Sequence, residues 1–159
     1  MKTRKLASLF VTGMMGMLMI VSDASATNIN TQAALCANYN AGEVGYFDRL
    51  TNGVRNIDSS SARPVLCSIP RSPLGSAAAS GGFYIDGDNS SGASTSCTLL
   101  SYDYTGTFLG AVSFTESQAH YDHFVTMTST QLPFYAYTAI LCYLPTNGNG
   151  LLRGMTAVQ

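Results

Sequence analysis

"FYAYTAILCYL", Phe134–Leu144, alternates without a break. Ala136, Thr138, Ile140, Cys142 and Leu144 fall on one parity, and Tyr135, Tyr137, Leu141 and Tyr143 on the other. A strand sends successive side chains to opposite faces, so this stretch reads as a strand with one small and aliphatic face and one aromatic face. The same period runs through "RPVLCSIP" (63–70), where Val65, Cys67 and Ile69 share a face, and through "GFYID" (82–86), where Phe83 and Ile85 oppose Tyr84. In "SCTLLSYDY" (96–104), Leu100, Tyr102 and Tyr104 oppose Cys97 and Leu99. "TFLGAVSF" (107–114) sets Phe108, Val112 and Phe114 on one parity, "HFVTMTS" (123–129) sets Val125 and Met127 against Phe124 and Thr126, and "LRGMTAV" (152–158) ends the series.

Turn chemistry separates these runs: "NGV" at 52–54, "SGG" at 80–82, "DGDNSSG" at 86–92, "YTGT" at 104–107 and "TNGNG" at 146–150. Pro133 and Pro145 stand at strand ends, where a missing N–H is tolerated. "NTQAALCANYN", 30–40, is the one helical candidate. Seven or eight short strands punctuated in this way predict an all-β fold, an antiparallel two-sheet sandwich of jelly-roll type.

The first residues read differently. Lys2, Arg4 and Lys5 precede the apolar run Leu6–Val21, and Ala24-Ser25-Ala26 is a small-x-small cleavage site. That is the pattern of a signal peptide, residues 1–26, rather than a retained membrane anchor. A single secreted domain, 27–159, would follow, periplasmic or extracellular. It contains no lysine, and its five arginines (49, 55, 63, 71 and 153) face eight carboxylates (Glu43, Asp48, Asp58, Asp86, Asp88, Asp103, Glu116 and Asp122), a net charge of −3. That balance offers no basic patch for a phosphate backbone or an anionic membrane.

Cys36, Cys67, Cys97 and Cys142 all lie in the exported part, and an even count there reads as two disulfides. Three pairings are open; the expected one is Cys36–Cys67 with Cys97–Cys142, the latter near the start of one strand and the end of another. No Cys-x-x-Cys spacing suggests a metal.

Four segments together, Cys36–Pro73, "STSCTLLSYDYTG" (94–106), "AILCYLPTNGNG" (139–150) and "GMTAVQ" (154–159), resemble a loose family of exported bacterial four-cysteine proteins. The shared frame is the cysteines, an Arg63-Pro64-Val65 approach to Cys67, and Pro145 soon after Cys142. The resemblance implies a secreted β-sandwich, favours the same disulfide pairing, and brings no catalytic residue with it.

Chemistry-bearing residues are few. His120 and His123 lie three apart, so on a strand their imidazoles diverge, while His120 and Asp122 share a face. With a third ligand, His120 and Asp122 would serve a small metal-assisted hydrolase, the alternative function. Asp86 and Asp88 in "DGDNSSG" supply hard oxygens suited to calcium, but the EF-hand layout is absent and the same residues suit a hairpin turn. Asp86 with Glu116 is one of many carboxylate pairs that eight acids allow. There is no Gly-x-Ser-x-Gly elbow and no glycine-rich phosphate cradle, so no cofactor is expected. Tyr102, Tyr104, Tyr135, Tyr137 and Tyr143 form stripes that on an open face would stack sugars or meet a partner. The leading expectation is a non-catalytic protein binding a glycan or a protein at or outside the cell surface, or self-associating. An inhibitor or immunity-like partner of an enzyme is a third reading.

Overall fold

The computed structural model describes residues 28–71 and 81–158; the expected signal peptide lies outside them. Eleven strands follow in order: β1 Ile29–Gln32, β2 Ala37–Asn38, β3 Phe47–Leu50, β4 Gly53–Asn56, β5 Arg63–Ile69, β6 Gly81–Asn89, β7 Thr95–Tyr102, β8 Phe108–Glu116, β9 His120–Met127, β10 Tyr137–Leu144 and β11 Gly150–Val158. One sheet has the order β3-β4-β11-β6-β9, with β1 also on β11; the other is β2-β5-β10-β7-β8. The pairings among the described residues are antiparallel. Strands β4 to β11 interleave as a jelly roll: β4-β11-β6-β9 faces β5-β10-β7-β8. The expected all-β sandwich is what the chain forms.

The alternation explains why. On β7 and β10 every second residue is buried, from Cys97 and Leu99 to Ile140, Cys142 and Leu144. Across the gap they meet Phe83, Ile85, Val125, Met127, Leu152 and Met155. Full burial of each such side chain contributes about 1.5–3 kcal/mol. Both disulfides take the expected pairing, Cys36–Cys67 and Cys97–Cys142, and all four cysteines lie within this core.

Three local readings need correction. The helical candidate 30–40 contains β1, a single 3-10 turn at Ala33–Leu35, and β2. The edge of β11 and the Cys36–Cys67 bridge hold it extended, tertiary terms that outweigh weak local propensity. Phe108 does not share a face with Val112 and Phe114. An irregularity between Ser101 and Tyr102 pairs Tyr102 with Phe108 while Ser101 pairs with Gly110, and the extra residue turns Phe108 outward. "DGDNSSG" is only partly a turn, because β6 runs on to Asn89 and places Asp86 and Asp88 on strand.

The segment between β2 and β5 is tied down by charge. Arg63 binds Asp58 at 2.6 Å and Glu43 at 2.9 Å, with its guanidinium 4.3 Å from the centre of the Tyr46 ring. Ser60, through its N–H and hydroxyl, and then Arg63 hold the Asp58 carboxyl down at about 2. Among the described residues, no helix is long and apolar enough to cross a membrane.

Candidate functional site: two aromatic faces

The outer face of the second sheet carries aromatic side chains at one end. In the β10–β7 ladder Tyr137 pairs with Tyr102, and in the β7–β8 ladder Tyr102 pairs with Phe108. One row of three rings therefore crosses three adjacent strands. The Tyr102 and Phe108 centroids lie 5.7 Å apart, edge to face. Continuing the same register sets Tyr135 opposite Tyr104, and those rings meet at 6.4 Å, with Phe134 edge-on to Tyr135 at 4.6 Å. Tyr104, Tyr135 and Tyr137 are each about two-thirds exposed or more (72%, 67% and 66%).

Four of the five expected tyrosines thus gather into one platform. Tyr143 does not join them: it pairs with Ser96 at the far end of the ladder, roughly 20 Å along the strand from Tyr137. Phe108 and Phe134 complete the platform, and sequence parity hides both: the bulge inverts Phe108, and Phe134 falls on the opposite parity to Tyr135 and Tyr137. Beyond the rings the face turns to hydroxyls, with Thr98 against Ser113 and Ser96 against Thr115, each at 2.9 Å. Asp103 is bound into the turn beneath Tyr104. It accepts the Thr105 hydroxyl and the Thr105 and Thr107 N–H groups, which hold its carboxyl below the usual range.

The remaining candidates share the outer face of the first sheet. Successive β6–β9 rows there are Tyr84 with Phe124, Asp86 with Asp122, and Asp88 with His120. The fold places Asp86, Asp88, His120 and Asp122 side by side but divides their contacts. Asp88 binds His120 Nδ1 at 2.6 Å and Arg153 Nε at 2.5 Å. Arg153 reaches it from the register shift in β11 between Leu152 and Gly154. Burial alone would raise the Asp88 carboxyl, and the His120 and Arg153 bonds hold it below its ordinary value. Asp86 instead faces Asp122; burial first, then that second carboxylate, push it up to about 6. Among the described residues, no three His, Cys, Asp or Glu side chains converge as a metal set. His123 diverges from His120 as expected, stacking on Phe114 with centroids 3.9 Å apart and binding Glu116 at 2.5 Å. Asp86 and Glu116 therefore do not form a pair.

A cleft of about 340 Å³ opens at the Asp88–His120 end of this face, lined by Leu50, Arg55, Asp88, Ser90, His120 and Leu151 among others.

No protein-family model matches the chain, and no curated protein matches it. Among solved structures, the chain is similar to the CBM36-1 domain of a multidomain xylanase from the hindgut metagenome of Trinervitermes trinervoides. The identity is 12% and the TM-score 0.50, over 82% of this chain and 96% of that one. Weaker likenesses, at TM-scores of 0.41 and 0.42, are to an Arthrobacter globiformis T6 isomalto-dextranase complexed with panose (11% identity) and to tailspike protein 4 of bacteriophage CBA120 (9% identity). They cover 82% and 85% of this chain but only 23% and 18% of those chains, and carry no argument. At such identities the first likeness shows the shared sandwich fold.

Proposed function

We propose that the protein is an exported, non-catalytic glycan-binding domain whose platform is Tyr102, Tyr104, Phe108, Phe134, Tyr135 and Tyr137. The observation that carries this reading is the cross-strand row Tyr137–Tyr102–Phe108, held open on a sheet face. Three strands span about 10 Å, enough for consecutive sugar rings to lie across them. Aromatic faces take up the C–H face of a pyranose, and flanking hydroxyls exchange hydrogen bonds with its rim. With Asp103 already bound into its turn, the platform suits a neutral sugar. A sandwich fold shared with a xylanase domain supports the same reading. Two disulfides and the leader-like residues 1–26 support export.

A ring covering about 60 Å² of one aromatic side chain contributes ~1.5 kcal/mol, about tenfold in affinity. Calorimetric titration with a panel of neutral oligosaccharides, xylan-derived and glucan-derived, tests the proposal. Tyr137→Ala and Tyr135→Ala are each expected to weaken the best ligand about tenfold with unchanged melting temperature. Failure of every panel member to bind, or unchanged affinity in both variants, refutes it.

A further inference from the structure

The opposite sheet presents a second, chemically different aromatic face. Tyr84 and Phe124 pair across β6 and β9 with centroids 4.7 Å apart, tilted by 42°, and remain 37% and 50% exposed. Gly82 makes room for the Phe124 ring, since a Cβ there would lie 2.7 Å from two of its carbons. One row further along, about 7 Å, stand Asp86 and Asp122. The two basic side chains nearest them, Arg153 and His120, are both bound to Asp88. Among the described residues neither Asp86 nor Asp122 is in an ion pair. Beside them on β11, Gly154 puts no side chain in the Asp86 row, and Thr156 stands in the Tyr84 row, its hydroxyl donating to Asn30 at 2.8 Å.

Two carboxylates opposite one another repel, and a sheet face pays for keeping them without a counter-charge. An apolar ring surface next to two uncompensated carboxylates matches a ligand with a carbon-ring body and an ammonium group. We propose that this face binds an amine-bearing sugar, with its ring on Tyr84 and Phe124 and its ammonium between Asp86 and Asp122. The inference takes the ligand class, a glycan, from the reading above but uses none of that platform's residues. Burial and the facing Asp122 carboxylate raise the Asp86 carboxyl, a penalty that an ammonium seated between the two would relieve. The other ionisable groups on the face are Tyr84, Asp88, His120 and Arg153 and, further across it, Arg55 and Asp48; Asp88 engages His120 and Arg153, and Asp48 engages Arg55.

The test is titration of the disulfide-intact protein at pH 7 with fully deacetylated glucosamine oligomers, with their N-acetylated counterparts, and with putrescine. Binding is expected for the deacetylated oligomers, at least tenfold tighter than for the acetylated ones or putrescine. Asp122→Asn and Phe124→Ala should each weaken it at least tenfold, and Tyr143→Ala, an exposed ring outside both sites, should leave it within twofold. Equal binding of acetylated oligomers or putrescine, or indifference to Asp122→Asn, overturns the inference. The neutral-sugar platform fails separately, through loss of neutral-oligosaccharide binding or its indifference to Tyr137→Ala.

Discussion

Replacing both Cys97 and Cys142 with alanine tests the frame on which the platform stands. The two residues are direct partners on β7 and β10, buried in the core, and 45 residues apart in sequence. Closing a loop of that length lowers the entropy of the unfolded chain enough to stabilise the fold by about 4 kcal/mol. A domain of this kind is typically stable by about 5–15 kcal/mol, so the variant should be folded but close to the margin. Urea unfolding followed by circular dichroism should show a fall of about 3–5 kcal/mol and a steeper denaturant dependence, because the open chain exposes more surface when unfolded. The Cys36–Cys67 bridge closes 31 residues and should be worth only ~0.3 kcal/mol less in the same model. The platform should survive where the variant remains folded. Tyr102 pairs with Tyr137 in the same ladder, and that register is set independently by Leu99 against Ile140 on the buried face. Affinity for a neutral sugar is therefore expected to stay within twofold. A stability loss below ~1 kcal/mol in the variant, or alkylation of all four sulfurs of the unsubstituted protein without reductant, would refute the assignment of the staple; loss of binding in a folded variant would refute the claim that side-chain alternation sets the register.

Asp86→Asn should stabilise the protein above pH 6. The folded carboxyl is raised to about 6 from an ordinary 3.8, so the folded state holds its proton more tightly and is penalised as pH rises through that window. After discounting for partial exposure the gain is about 1 kcal/mol at pH 7.5 and near zero at pH 3.5, read by urea unfolding at both; equal effects at the two would contradict it. Gly87→Ala should cost about 1–3 kcal/mol, because a Cβ would lie 2.2 Å from Tyr121 Oη and 2.6 Å from the Leu151 carbonyl oxygen. Gly42→Ala, with nothing within 4 Å, is the neutral control in the same thermal melts.

Much of the fold was legible because a sandwich must hide one face of each strand, and that need writes itself into every second residue. Val65, Cys67 and Ile69 on β5 and Phe83 and Ile85 on β6 read directly, as did the divergence of His120 from His123. Pairing between distant strands was not legible. That Asp122 faces Asp86 and that Asp88 takes His120 follow from a β6–β9 register joining segments some thirty residues apart, which no local window contains. The short strands β1 to β4 have too few residues to show a period, and the bulge beside Tyr102 changed parity without any local signal beyond Gly110.

The platform is hard to account for as a by-product of folding. At the β10–β7 row where Tyr137 and Tyr102 point outward, the neighbouring inward positions hold Thr138 and Ser101, polar residues buried to within a few per cent. Thr138 donates its hydroxyl to the Ile69 carbonyl oxygen at 2.7 Å to make that burial tolerable. Core packing alone favours the reverse, rings inside and hydroxyls outside, because each buried aromatic side chain adds far more apolar burial than a threonine. The arrangement also leaves a contiguous apolar patch beside the edge strand β8, where exposed rings invite association. A face that is unfavourable for stability and solubility together supports the proposed binding role. Exchanging the pair, Tyr137→Thr with Thr138→Tyr, would move a ring inward at a site already filled, so the loss of sugar binding would be accompanied by an overpacked core. Tyr137→Ser alone separates the two, and should abolish the ring's contribution to binding while leaving the stability unchanged or slightly raised.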